Sequence, residues 1–178
     1  MWKVEEDHND PQYADLVKSF KGKSDKRRRE ELGGALLLER LEIRDKIVYL
    51  ENGKPTLPGV HISISHSDDI VGLAVGEKPV GLDIQDDTPK LFNIKHKFCN
   101  DEELRMWSDD LDRLTLIWAG KESVFKIYGE DLAFAEEMHV HFPVQPPKWY
   151  ECTSLKHKRT YILDWLTFEG KRVVWTRS

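Results

Sequence analysis

The sequence has little cysteine, no long apolar run and no visible repeat, and each absence narrows what the chain can be. Cys99 and Cys152 are its two cysteines, and they form no metal-ligand or redox spacing. A disulfide framework or zinc cluster is therefore not the organising principle, and a reducing compartment is expected. No stretch approaches the ~20 consecutive apolar residues of a membrane-spanning helix. The opening Met-Trp-Lys-Val-Glu-Glu-Asp is charged where a secretory leader would be apolar. These features together lead to the expectation of a cytoplasmic chain with no membrane partner.

What is present suits a small globular protein. The 178 residues are 39% hydrophobic and 33% charged, enough for one core without covalent staples. The length fits one domain or two closely joined halves. A net charge of −5 speaks against a general nucleic-acid binder. The cations are nonetheless clustered. Lys18, Lys21, Lys23, Lys26, Arg27, Arg28 and Arg29 stand against Asp25 alone, and Lys156-His157-Lys158-Arg159 follow near the end. Such runs are ordinary solvated faces, or surfaces for phosphate or an acidic partner.

Periodicity predicts mixed α and β elements. A short strand near residues 2–4 precedes a helix over 26–41, where Leu32 and Leu36 repeat at helical spacing. Strands are predicted at 46–50, 61–66, 70–75 and 80–85, with Asn52-Gly53-Lys54-Pro55 as a turn. Helices are predicted over 90–107 and 111–128, the second stopped by Gly129. Strands at 138–142, 160–168 and 172–176 finish the chain, with 143–147 a proline-rich surface loop. Helices mixed with antiparallel hairpins indicate an α+β fold.

Four segments carry chemistry-bearing residues, and each has a plain structural explanation when taken alone. Ile64-Ser65-His66-Ser67 sets a histidine at the end of an apolar strand. Gly81-Leu82-Asp83-Ile84-Gln85 sets a carboxylate between apolar neighbours, where it needs a metal, a buried donor or water. Asp83, Gln85 and Asp87 share a face if that strand continues. In Trp118-Ala119-Gly120-Lys121-Glu122-Ser123-Val124-Phe125-Lys126, the residues Trp118, Glu122 and Lys126 recur every fourth position on one helix face. Lys97-Phe98-Cys99-Asn100-Asp101-Glu102-Glu103 reads as a capped helix start rich in acids.

In this order the segments resemble the 4′-phosphopantetheinyl transferase superfamily, in particular its two-halved, surfactin-synthetase-activating type. Arg27-Arg28-Arg29-Glu30-Glu31-Leu32 and Gly53-Lys54-Pro55 look like further family segments. The resemblance implies two similar α/β halves, 1–79 and 80–178, related by a pseudo-twofold with coenzyme A between them. It implies transfer of phosphopantetheine from coenzyme A to a serine of an acyl or peptidyl carrier protein. Mg²⁺ would be held by Asp83 and Glu122, with Gln85 at a third ligand position. His66, Lys121 and Lys126 would face the pyrophosphate, Arg28 and Lys54 the nucleotide end, and Glu102 would be the base for the carrier serine. The chain is expected to act as a monomer and without nucleic acid.

Two residues depart from the family pattern. Gln85 stands where many relatives carry an acid, and an amide cannot supply a carboxylate ligand, so water or Asp87 is expected to fill that position. Ala35 stands where relatives commonly carry arginine. These departures raise the alternative of a non-catalytic coenzyme A-binding relative.

Overall fold

A computed structural model describes residues 2–3, 25–68, 70–130, 132–143 and 148–177. Lys18, Lys21 and Lys23 of the basic run, Val4 of the first predicted strand and residues 144–147 of the proline-rich loop lie outside the described residues. The elements in chain order are β1 (Trp2–Lys3), α1 (Asp25–Arg40), β2 (Val48–Tyr49), β3 (Pro55–Thr56), β4 (His61–Ser67), β5 (Ile70–Gly76) and β6 (Leu82–Asp86). They continue with α2 (Lys90–Ile94), a 3₁₀ turn (Lys95–Lys97), α3 (Asp101–Trp107), α4 (Leu111–Tyr128), α5 (Phe134–Glu137), β7 (Met138–His141), β8 (Trp149–Ser154), β9 (Arg159–Phe168) and β10 (Lys171–Thr176).

The expected α+β fold is present, in two sheet-bearing regions. One sheet has the order β1-β5-β4, the other β6-β10-β9-β8-β7, and β2 and β3 form a small separate hairpin. All of the paired strands are antiparallel. Leu32, Leu36 and Leu37 of α1 bury against Val71 of the first sheet. Gly33 permits this approach, because a Cβ there would lie 2.8–2.9 Å from three Val71 side-chain atoms.

The larger core is built around α4. Its N-cap is Asp110, whose side chain accepts from the Arg113 N–H. Gly129 ends it in the left-handed conformation, φ 68°, and returns its N–H to the Phe125 carbonyl. Leu114, Leu116, Ile117, Ala119, Val124 and Ile127 are buried between these caps, so the helix is apolar on more than one side. It packs against β6 and β10. Gly81, just before β6, is required by that contact: a Cβ would sit 1.8 Å from the Ser123 carbonyl oxygen.

The two sheets meet through serine hydroxyls. Ser63 and Ser65 of β4 accept from the backbone N–H groups of Leu82 and Ile84 at 3.0 and 3.1 Å, and Ser67 donates to the Asp86 carboxylate at 2.5 Å. Alternate residues of β4 thus meet alternate residues of β6 along their length, as the period-two geometry of strands requires. Buried β6 amides that would otherwise be costly to desolvate are satisfied by side chains.

Two expectations need correction. The helix predicted over 90–107 is broken, because Asn100 adopts an extended backbone, ψ 174°, and forms a reciprocal capping box with Glu103. Buried Phe98 and Cys99 occupy the break. Strand β8, to which no element was assigned, alternates buried Tyr150, Cys152 and Ser154 with more exposed neighbours. Among the described residues no helix is long and apolar enough to cross a membrane.

Candidate active site

A cleft of about 460 Å³ opens where β4, β6, α4, α1 and the loop before β3 converge. Six of the expected site residues line it: Lys54, His66, Asp83, Gln85, Glu122 and Lys126. Trp118 joins them, since helical spacing brings it to the same face as Glu122 and Lys126.

Asp83 lies at the centre of the polar network. It is 6% exposed, and its Oδ1 accepts from Ser65 Oγ at 3.0 Å and from Lys126 Nζ at 2.7 Å. Its Oδ2 is buried and, among the described residues, has no hydrogen-bond partner. Lys126 Nζ also donates to Ser65 Oγ and the Leu82 carbonyl, both at 2.9 Å, so all three ammonium hydrogens have acceptors. Burial, reinforced by the charge of Asp83 and opposed by Lys126, pushes the Glu122 carboxyl up to about 7. Asp83 and Glu122 thus share this part of the cleft with Lys126, and among the described residues Asp83 Oδ2 is left without a partner there. That arrangement attracts a further positive charge.

The periphery is held by the loop before β3. Lys54 Nζ donates to the Ile127 carbonyl, one of those left open at the end of α4, and burial pulls its ammonium below the ordinary range. Asn52 Oδ1 accepts from the Lys54 N–H at 3.1 Å, and Asn52 Nδ2 donates to the Gly129 carbonyl at 2.9 Å. On the opposite wall His66 Nδ1 stands 2.7 Å from Glu30 Oε1.

Three expected residues are not brought into the cleft lining. Lys121 is fully buried, and donates to Glu103 Oε2 at 2.6 Å and to the carbonyls of Phe98 and Phe134 at 2.7 and 3.0 Å. Its neighbour Glu122 faces the cleft because one residue turns the helix by about 100°. Glu102 is exposed in the first turn of α3. Arg28 lies on α1, two residues before the cleft-lining Glu30. Asp87 does not serve as a further cleft acid either. β6 ends at Asp86, and Asp87 pairs with Arg172 at 3.0 Å. Gln85 does line the cleft, its Nε2 donating to the Asp86 carbonyl at 3.3 Å.

Sequence reasoning missed Ser65, Glu30 and Asn52 as site residues. The alternation of serines in β4 was a signal for Ser65, whereas Glu30 and Asn52 depend on contacts with distant elements. Burial pushes the thiols of Cys99 and Cys152 up to about 12, so neither is a thiolate nucleophile at neutral pH. Among the described residues no group of three or more His, Cys, Asp or Glu side chains is arranged to hold a metal by itself.

Residues 79–176 match the 4′-phosphopantetheinyl transferase superfamily, and this match covers more than half of the chain. The chain belongs to that superfamily. It is 32% identical over 91 residues to the 4′-phosphopantetheinyl transferase psf-1 of Bacillus pumilus, covering 47% of this chain and 39% of that protein. It is 33% identical over 91 residues to a 4′-phosphopantetheinyl transferase of Bacillus subtilis, covering 47% of this chain and 41% of that one. The matches thus span about two fifths of the length of these curated relatives.

Proposed function

We propose that the chain transfers the 4′-phosphopantetheine arm of coenzyme A to a serine of an acyl or peptidyl carrier protein, releasing 3′,5′-ADP. The proposed type is the two-halved, surfactin-synthetase-activating one, with halves 1–79 and 80–178 related by a pseudo-twofold, acting as a cytoplasmic monomer. The observation that carries the reading is Asp83 Oδ2, buried without a partner among the described residues in a cleft it shares with Glu122 and Lys126.

The residues fit a magnesium ion on chemical grounds. Mg²⁺ is usually held by one or two carboxylates, with phosphates and water completing its shell, so no third protein acid is required. Asp83 and Glu122 would hold the ion, with Gln85 beside them as a neutral neighbour. When bound, it would withdraw charge from the phosphorus under attack and from the departing nucleotide.

The chain's own groups do the rest in this reading. Lys126 and His66 face the pyrophosphate; Lys54, exchanging its carbonyl partner for a phosphate, and Arg28 receive the nucleotide end. The carrier serine oxygen bonds to the phosphorus bearing pantetheine, and the bond from that phosphorus to the 3′,5′-ADP oxygen breaks. Glu102 takes the serine proton. Glu103 is unsuited to that role, since Lys121, Asn100 N–H and Val140 N–H occupy its carboxylate. Lys121 supports the site from within the core.

The direct test incubates the protein with coenzyme A, Mg²⁺ and a panel of apo carrier proteins, and weighs the carriers. A mass gain of one phosphopantetheine is expected on at least one. Gln85 favours one second reading, a relative that binds coenzyme A without transferring it. Binding with no mass gain across the panel would establish that alternative.

A further inference from the structure

The cleft contains a carboxylate that sequence reasoning did not assign. Glu30 lies on α1, His66 near the end of β4, and both line the cleft. His66 Nδ1 and Glu30 Oε1 are 2.7 Å apart, with side-chain exposures of 25% and 17%. A bare acid on this wall would repel a polyphosphate. An acid at ion-pair distance from the histidine instead offsets the charge of the imidazolium form and is placed to accept from its ring N–H.

The packing that creates this pair is specific. His66 and Val71 are register partners in the β4–β5 ladder. Val71 is the residue against which Gly33 packs without room for a Cβ. Gly33 lies three residues after Glu30, on the neighbouring helical turn. The close seating of α1 on β5 thus sets the distance between Glu30 and the imidazole. Nδ1 lies at ion-pair distance from Glu30, and Nε2 is the ring nitrogen not facing that carboxylate. Ring orientation by a partner on the second nitrogen is the device that fixes histidines at metal and catalytic sites.

We propose that Glu30 is a positioning residue, which holds the His66 ring by Nδ1 so that Nε2 is presented to a phosphate group of the substrate. The inference rests on the coenzyme A reading for the identity of that phosphate, though not for the geometry. It makes α1 part of the anion site through a side chain that itself touches no phosphate.

Nitrogen-detected NMR of the histidine ring in the whole chain, without substrate, tests the geometry. In the wild type the His66 Nδ1 should be protonated, whether the ring is neutral or charged. Glu30→Ala should move the neutral ring toward the Nε2–H tautomer, while Glu30→Gln, whose amide oxygen still accepts from Nδ1–H, should keep the wild-type pattern. Calorimetry with coenzyme A then tests the consequence. Glu30→Ala should weaken binding by about tenfold, at the low end of the ~10–100-fold cost seen for lost orienting partners in metal sites. Glu30→Gln should recover most of it, and turnover at saturating coenzyme A should change little in either variant.

Identical His66 ring signals in wild type and Glu30→Ala would overturn the proposal. So would unchanged coenzyme A affinity in a Glu30→Ala protein whose tautomer had shifted. A wild type that binds no coenzyme A but shows the expected ring signals would remove the functional reading and the phosphate assignment, leaving only the Glu30–His66 geometry. Thermal melts of each variant separate these effects from unfolding.

Discussion

Lys126 Nζ lies 2.7 Å from Asp83 Oδ1, so the lysine occupies one face of the carboxylate proposed to hold the metal. Its three acceptors include Ser65 Oγ and the Leu82 carbonyl, which anchor α4 to both β4 and β6. The ammonium is therefore a built-in counter-ion as well as a candidate phosphate ligand. A divalent ion arriving alone must work against it. An ion arriving with a pyrophosphate offers the lysine a new partner.

Lys126→Met should accordingly destabilise the metal-free protein, because it leaves Asp83 buried without its cation. The expected loss approaches about 3 kcal/mol, the lower end for breaking a buried pair, since Lys126 is partly exposed. Mn²⁺ should then raise the melting temperature of Lys126→Met more than that of the wild type. Equal Mn²⁺ shifts in thermal melts with and without chelator would refute the counter-ion role.

Glu122 supplies a pH signature. Its carboxyl is raised from 4.5 to about 7. The folded state therefore holds this proton more tightly than the unfolded chain, and stability falls as pH rises from about 4.5 to 7. Glu122→Gln removes the ionisation. In chelator the variant should be more stable than the wild type at pH 8, by an amount on the order of 3 kcal/mol, and the gap should close by pH 4.5. Carrier modification should be lost at every pH. A variant that is no more stable at pH 8 would show that burying the Glu122 charge is not costly.

The Lys121–Glu103 pair should behave as core. Lys121 is wholly buried and Glu103 nearly so, with each oxygen of Glu103 engaged. Lys121→Met alone leaves a buried carboxylate short of its cation, and a loss of about 3–5 kcal/mol in chemical denaturation is expected. Variant protein that stays folded at low temperature should bind coenzyme A with near wild-type affinity. A selective loss of affinity in a fully stable Lys121→Met protein would return Lys121 to the phosphate site.

Gly81→Ala should damage the site without touching a polar group. The new Cβ would fall 1.8 Å from the Ser123 backbone oxygen, so β6 must move away from α4. These two elements carry Asp83 and Glu122. Loss of at least ~1–3 kcal/mol of stability together with weaker Mn²⁺ binding is expected, the former being the usual cost of overpacking. Wild-type melting and Mn²⁺ affinity in the alanine variant would contradict the close approach.

Local pattern alone determined much of this protein. The extent of α4, its Gly129 stop and the shared face of Trp118, Glu122 and Lys126 all follow from spacing and capping chemistry, and α4 spans the predicted residues. The strands carrying His66 and Asp83 were legible from alternation for the same reason. Tertiary contacts decided the rest. The Asn100–Glu103 capping box that breaks the helix predicted over 90–107 was legible as a capped helix start, whereas the partners of the buried Glu103 carboxylate, Lys121 and Val140, lie 18 and 37 residues away. Adjacent Lys121 and Glu122 part ways because β6 lies on one side of α4 and the Phe98 and Phe134 carbonyls on the other. Glu30 reaches His66 because Gly33 lets α1 settle on Val71. A charged side chain on a helix has similar local energetics whichever way it faces. Its role is set by the partner that burial supplies, and that partner lies far along the chain.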